Sequence, residues 1–392
     1  MTDQTVVIVG AKRTPIGSFQ GQFEPCSGTD LGAVAIAGAV EQAGIEAGEA
    51  SEVIMGCVLP AGLGQAPARQ AALKAGVPVS VGAMTINKVC GSGMKSVMLG
   101  YDAIRVGSSK IVIAGGLESM TNAPYMLPKA RGGMRMGHGE VIDHMFWDGL
   151  QSPYDGQMMG VFGEMCAEKY GFTREDQDAF ATTTIERAQK AVADGTFAEE
   201  IVPVTVKTRR GETVCDTDEE PARCNLEKIP SLRPAFKKDG TVTAANASKI
   251  SDGAAATVLM TGDEAAARGL EPLARIVAHA TFSQEPEWFT TAPSRAVADV
   301  VKKAGWTMDD VDLFEINEAF ASVTMAAMHD NGLKQDRVNV NGGACALGHP
   351  VGASGARILV TLIYALRQRG LKRGVASLCL GGGEAVAIAI EI

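Results

Sequence analysis

GSGMKSVMLGYDAI (residues 91–104) leads to KIVIAGGLE (110–118), and GASGARILVTLIYAL (352–366) leads to GVASLCLGGGE (374–384). In each case a step of small residues opens a long apolar helical pattern. That pattern feeds a short, strand-like run ending in paired glycines and then a glutamate. Gly93 to Glu118 is 25 positions, and Gly355 to Glu384 is 29. An approximate internal repeat of this kind predicts two similar α/β halves packed together. The length of 392 residues fits, being long for one core.

Working outward, TVVIVGAKRTPIG reads as a buried strand over residues 5–9 followed by a turn. Helical periodicity follows at 30–42 and 67–75, with the strand-like SEVIMGCVL between them, and again at 90–106. From Met120 the text breaks into PYMLPKARGGMRMGHG, then resumes with helical patches at 156–170 and 173–193. This segment is too long for an ordinary loop and too rich in helical patches to be disordered. It reads as an inserted subdomain partly covering a site. The expected division is a first half at 1–119 plus 248–270, an insertion at 120–247, and a second half at 271–392.

Composition excludes several classes. Apolar residues make up 46 % and charged residues 21 % of the chain, values of a globular soluble protein. A net charge of −9 argues against nucleic-acid binding and against docking on an anionic membrane. No stretch approaches the ~20 apolar residues of a membrane span. The N-terminus, MTDQTVVIVG, lacks a basic region and a long apolar run, so no export signal is expected. The eight cysteines then read as reduced thiols in a cytoplasmic protein. No CxxC pair occurs and the five histidines are scattered, so no metal site is expected. One glycine in TVVIVGAK falls short of a dinucleotide fingerprint, and GxxxxGK[ST] is absent.

Four short stretches carry candidate chemistry. NKVCGSG puts Cys90 just before a helix start, where the helix dipole and free amides favour a thiolate. A buried packing cysteine is the competing reading. NGGACALGHPVGASGAR places His349 in a glycine-rich loop, and SLCLGGGE places Cys379 at a strand end beside Gly381. FEINEAFAS sets Asn317 and Glu318 at a strand-to-helix junction, where an amide could orient water or a carbonyl. Pseudo-twofold packing of the halves would bring these four stretches around one pocket. Cys26, Cys57, Cys166, Cys215 and Cys224 read as packing or surface residues. Cys345 would be oxidisable if exposed, and His138, His144, His279 and His329 carry no motif.

With these stretches together, the sequence resembles the thiolase family. NKVCGSG, NEAFA, NASKISDGAA, GGACALGHPVGASGAR and CLGGG carry the resemblance, which runs from RTPIGSF to the C-terminal CLGGGEAVAI. It implies a thiolase-like α/β fold, with two halves in a five-layer αβαβα core and an inserted loop domain. It also implies Cys90 as the acyl-accepting nucleophile, His349 as the base that activates it, and Cys379 as the acid/base at the α-carbon. Asn317 would hold a water that works with His349 on an enolate oxygen, and the amides of Cys90 and Gly381 would form an oxyanion hole. Ser248, Arg223, Met158, Phe236, Ala319 and Phe320 would contact the coenzyme A thioester, with Ser248 at the pantetheine arm and Arg223 at the nucleotide. Phe289 is a further candidate for shaping the pocket. The substrates would be acyl-CoA thioesters, with no metal or redox cofactor, in a homodimer or homotetramer.

The implied reaction is reversible condensation of two acetyl-CoA to acetoacetyl-CoA. Short-chain biosynthetic thiolases carry histidine before Met-Gly in the insertion, whereas this chain has Met158 in DGQMMG. Methionine there also occurs in degradative 3-ketoacyl-CoA thiolases of broader chain length, the first alternative. A ketoacyl synthase is disfavoured by Cys379, and a non-catalytic acyl-CoA or lipid-binding relative by the full set of four residues.

Overall fold

A computed structural model describes residues 5–209 and 211–392. Residues 1–4, the start of the stretch read for an export signal, lie outside the described residues.

The first half runs β1 (Val6–Arg13), α1 (Gly28–Ala43), β2 (Glu52–Gly56), α2 (Pro67–Lys74), β3 (Gly82–Ile86), α3 (Ser92–Arg105) and β4 (Ile111–Ser119). Residues 120–250 follow, built on α4 (Met159–Tyr170), α5 (Arg174–Ala193), short helical turns and two small hairpins. The chain then re-enters the sheet as β5 (Ser251–Thr261). After it come β6 (Ala274–Ser283), α6 (Ala292–Lys303), β7 (Leu313–Ile316), α7 (Ala321–Asn331), α8 (Ser354–Arg369), β8 (Arg373–Leu380) and β9 (Glu384–Glu391).

The strands lie in the order β7-β8-β9-β6-β1-β5-β4-β2-β3, with the two-residue strand Gly17–Ser18 beside β5. The join at the centre is short: β1 and β6 pair antiparallel over Val6↔Ile276, Val7↔Arg275 and Ile8↔Ala274. Outward from it the halves repeat. β1-β5-β4-β2 matches β6-β9-β8-β7, and both outer pairs, β4 with β2 and β8 with β7, are parallel.

Strand alternation sorts the side chains into layers. Val112 and Ala114 of β4 and Val386, Ile388 and Ile390 of β9 face a central cluster that includes Met94 and Val97 of α3 and Ile358 to Leu366 of α8. Their neighbours Ile111 and Ile113 face α1 and α2. Ala385, Ala387 and Ala389 face α6. Helices α3 and α8 therefore sit between the two half-sheets, with α1, α2 on one outside and α6, α7 on the other. This is the five-layer αβαβα order.

The repeat differs in register from its expected form. Gly93 and Gly355 mark true counterparts, because a Cβ on Gly93 would lie 2.8 Å from Ala356 N and one on Gly355 2.4 Å from Met94 N. They are 262 positions apart, as are inward-facing Ala114 and Ala376. The counterpart of Glu118 is therefore Leu380. Glu384 is the first residue of the next strand, since the three glycines of LGGGE form a turn rather than a strand end.

Candidate active site

The turn that carries Cys90 lies between β3 and α3. Val89 adopts φ 46°, a strained conformation for a β-branched residue, and Cys90 follows it. Ser92 closes the turn: its Oγ accepts from Lys88 N at 2.8 Å and donates to Val89 O at 2.7 Å. The amides of Gly91 and Ser92 are spent inside the same turn, on Lys88 O and Val89 O. The thiolate-favouring helix start expected for Cys90 is thus largely consumed before it reaches Sγ. Burial pushes the Cys90 thiol up to about 11, while the amides of Gly381 and of Cys90 itself pull it down.

Ser354, 262 positions after Ser92, pins the opposite loop. It donates to Pro350 O at 2.9 Å, and its Oγ lies 2.6 Å from His349 Nδ1. A hydroxyl has one hydrogen, so Ser354 must accept from Nδ1–H. That tautomer leaves the Nε2 lone pair bare, and Nε2 has no partner among the described residues. Burial, then the charge of Arg357, pushes the imidazole down to about 3, keeping it neutral. Gly348 precedes it at φ 110°, where a Cβ would strike Ser251 Oγ at 2.1 Å.

Cys379, fully buried near the end of β8, is held well above the ordinary thiol range by burial first and then by Cys90. Asn317 follows β7 at the expected junction. Its Nδ2 is 3.5 Å from His349 Nδ1, and its Oδ1 is buried without a partner among the described residues. The neighbouring Glu318 is instead absorbed by Asn339 Nδ2 and Thr184 Oγ1, both at 2.8 Å, and Cys345 N at 3.0 Å.

Cys90, His349, Cys379 and Gly381 line one small inner cavity, with Ala319 and Phe289 also in its wall. Ser248 and Phe320 line both it and a larger, adjoining apolar pocket, which Met158 and Phe236 also line. Ser248 N donates to Ala319 O at 3.0 Å, and Phe236 packs edge-on to Phe320 at 6.2 Å. Arg223 stands farther out, half-exposed and 3.4 Å from Glu219, in a surface pocket with Lys228 and Lys249. That pocket shares Glu220, Ala244 and Lys249 with the apolar one. Shared walls thus relate the surface pocket, the apolar pocket and the cavity at Cys90.

Two matches decide the family. The description "Thiolase, N-terminal domain" matches residues 6–263, and "Thiolase, C-terminal domain" matches residues 270–392. The chain belongs to the thiolase family. This thiolase is 50 % identical over 389 residues to the acetyl-CoA acetyltransferase of Pseudomonas aeruginosa, covering 99 % of each chain. It is 49 % identical over 393 residues to that of Schizosaccharomyces pombe, covering 100 % of each. The crystal structure of the Bacillus anthracis acetyl-CoA acetyltransferase superposes with a TM-score of 0.97 at 43 % identity, over 99 % of this chain and 98 % of that one.

Elsewhere the thiolase shows that Cys345 is fully buried, its Sγ 3.7 Å from Glu318 O, so the exposure that would make it oxidisable is absent. Cys26, Cys57, Cys166 and Cys215 are buried and Cys224 partly so. His144, His279 and His329 pair with Asp148, Asp102 and Asp330. Among the described residues no helix is long and apolar enough to cross a membrane. Sequence reading missed Ser354 and Glu118; a constant spacing of 262 would have flagged Ser354 as the partner of Ser92.

Proposed function

We propose that this thiolase is an acetyl-CoA acetyltransferase, joining two acetyl-CoA into acetoacetyl-CoA and free CoA and running the reverse thiolysis. The observation that carries the reading is the convergence of Cys90, His349, Cys379 and Gly381 on one cavity at the end of an apolar channel.

His349 Nε2 takes the Cys90 proton as Sγ attacks the thioester carbonyl. The C–S bond to CoA breaks, and the CoA thiolate leaves with the proton of Cys379, while His349 keeps the proton it took from Cys90. The acyl oxyanion is met by the amides of Cys90 and Gly381, the two that already face Sγ. Cysteine suits this step because one thioester replaces another at little change in energy. Cys379, left as thiolate by that transfer, then removes the α-proton of the second acetyl-CoA and is a thiol again. The enolate, held by His349 Nε2–H and a water on Asn317, attacks the acyl-Cys90 carbonyl and releases Sγ, which takes its proton back from His349. Neither step transfers electrons or needs a Lewis acid, so the reading calls for no cofactor beyond the CoA thioesters themselves.

Ser248 would meet the pantetheine arm where the two cavities join, with Ala319, Phe320, Phe236 and Met158 around it. Arg223, with Lys228 and Lys249, would meet the anionic nucleotide end. Two working thiols suit a reducing cytoplasm, where acetoacetyl-CoA serves fatty-acid metabolism. A homodimer or homotetramer completes the reading, and light scattering in solution gives the number.

Intact-mass analysis after acetyl-CoA exposure should show one acetyl group, lost in C90A. C379A should keep the acetyl group but lose condensation by about 10²–10⁴-fold. Thiolysis should be fastest for acetoacetyl-CoA across a chain-length series run on wild type and Met158→His. A maximum at medium chains in the wild type would instead assign the broader degradative specificity, with Met158 as its determinant.

A further inference from the structure

The constant spacing of 262 makes Gly352 the counterpart of Cys90. At Cys90 the backbone amide faces the residue's own Sγ in the cavity. Around Gly352 the equivalent amide is occupied: it donates to Glu118 Oε2 at 2.8 Å. The same carboxylate accepts from Val58 N at 2.9 Å and Leu59 N at 3.1 Å, with Cys57 Sγ 3.6 Å from Oε1. A Cβ on Gly352 would lie 2.5 Å from Glu118 Oε2 and 3.0 Å from Cys57 Cα, so no side chain fits there. The second half thus holds a sealed copy of the nucleophile loop, with a carboxylate where a substrate oxyanion would sit.

Glu118 is fully buried and bound by backbone amides, with no cation paired to it among the described residues. A buried carboxylate so held is unfavourable unless its acceptor role is needed. Its bonds link a strand-end segment to a loop that enters a helix. One is Val58 and Leu59 after β2. The other is Gly352, three residues beyond His349 and next to Val351 of the cavity wall. Val58, Leu59 and Val351 also share an apolar cluster that packs against Cys90.

We propose that Glu118 is a positioning residue for acyl transfer, its charged carboxylate holding the His349 loop in register with the Cys90 loop. This rests on the roles proposed for Cys90 and His349. Burial pushes the Glu118 carboxyl up to about 7, against the pull of the Val58, Leu59 and Gly352 amides. The titratable groups around it are Cys57 after β2 and Cys90 before α3. Asp252, which starts β5 beside β4, is turned to Thr121. From the His349 loop it meets backbone only. Protonation converts one acceptor oxygen into a donor facing an N–H, and the tie weakens. The Glu118 charge also raises the Cys90 thiol, but as the weakest of the influences on it. A loop displaced by ~1 Å costs ~100-fold, so positioning outweighs that opposing effect.

The test is single-turnover acetylation of Cys90 by acetyl-CoA, followed by intact mass from about pH 5.5 to about pH 9. The wild-type rate should fall on the acid side with a midpoint near 7, which His349, held near 3, cannot supply. E118Q should lower kcat about 10–100-fold with KM for acetyl-CoA little changed, and should lose the acid limb. An E118Q enzyme with wild-type rate and an unaltered limb overturns the proposal. If E118Q does not fold, a wild-type profile flat through pH 7 overturns it equally. Failure of wild-type Cys90 to take up any acetyl group overturns the acetyltransferase reading itself, and this proposal with it.

Discussion

Ser354 Oγ lies 2.6 Å from His349 Nδ1, and its only hydrogen is committed to Pro350 O at 2.9 Å. Ser354 is then left to accept from Nδ1–H, and the proposed mechanism uses the bare Nε2 as the proton acceptor. Ser354→Ala removes the acceptor for Nδ1–H and frees the ring to adopt the other tautomer. Acetylation of Cys90 should slow about 10–100-fold, as for other groups that orient a working imidazole. Thermal melting should change little by comparison, because a single hydrogen bond contributes about 1 kcal/mol. An S354A enzyme that acetylates at the wild-type rate would remove the tautomer from the mechanism.

Cys90 offers a second measurement, on the free enzyme. Its folded value of about 11 lies above the ordinary thiol value of 9.0, so the resting enzyme carries thiol, not thiolate. Iodoacetamide labelling of Cys90 should rise about tenfold per pH unit through the neutral and mildly alkaline range, since only thiolate reacts. A plateau below pH ~9 would mean a thiolate already present at rest. The stability sign follows from the same shift. The fold favours the protonated thiol, a contribution complete below the ordinary value and lost as pH rises through about 11.

The sequence shows the architecture because the repeat lies in its apolar spacing, which the five layers simply obey. Helices expected at 90–106 and 173–193 appear at Ser92–Arg105 and Arg174–Ala193. The mistaken pairing of Glu118 with Glu384 came from matching glycines, and a GGG turn and a GG strand look alike until the partner helix sets the register. Cys90, His349 and Cys379 stand out because each sits among glycines, which mark backbone held close to something. Ser354 and Glu118 carry no such mark. Their roles arise from tertiary contacts, a loop carbonyl for one and three amides from two separate loops for the other.

Helices α3 and α8 cross where Gly93 meets Gly355, and the two reactive loops enter these helices only a few residues earlier. A methyl at position 355 would fall 2.4 Å from Met94 N and 2.8 Å from Met94 Cβ. The first of these is backbone in a packed helix and cannot swing aside. Gly355→Ala must therefore push α8 off α3, and overpacking of this kind costs about 1–3 kcal/mol or more. The denaturation midpoint should drop accordingly. Folded G355A should also acetylate Cys90 more slowly than wild type, because the helices carry Cys90 and His349 apart when they separate. Gly305→Ala is the control for handling glycine losses in general: φ 73° strains it, yet nothing lies within 4 Å of its Cβ and it is remote from the crossing. It should lose stability without loss of acetylation rate in the folded fraction. Equal rates for G355A and wild type at equal folded fraction would show that the spacing of the two helices does not set the distance between thiol and imidazole.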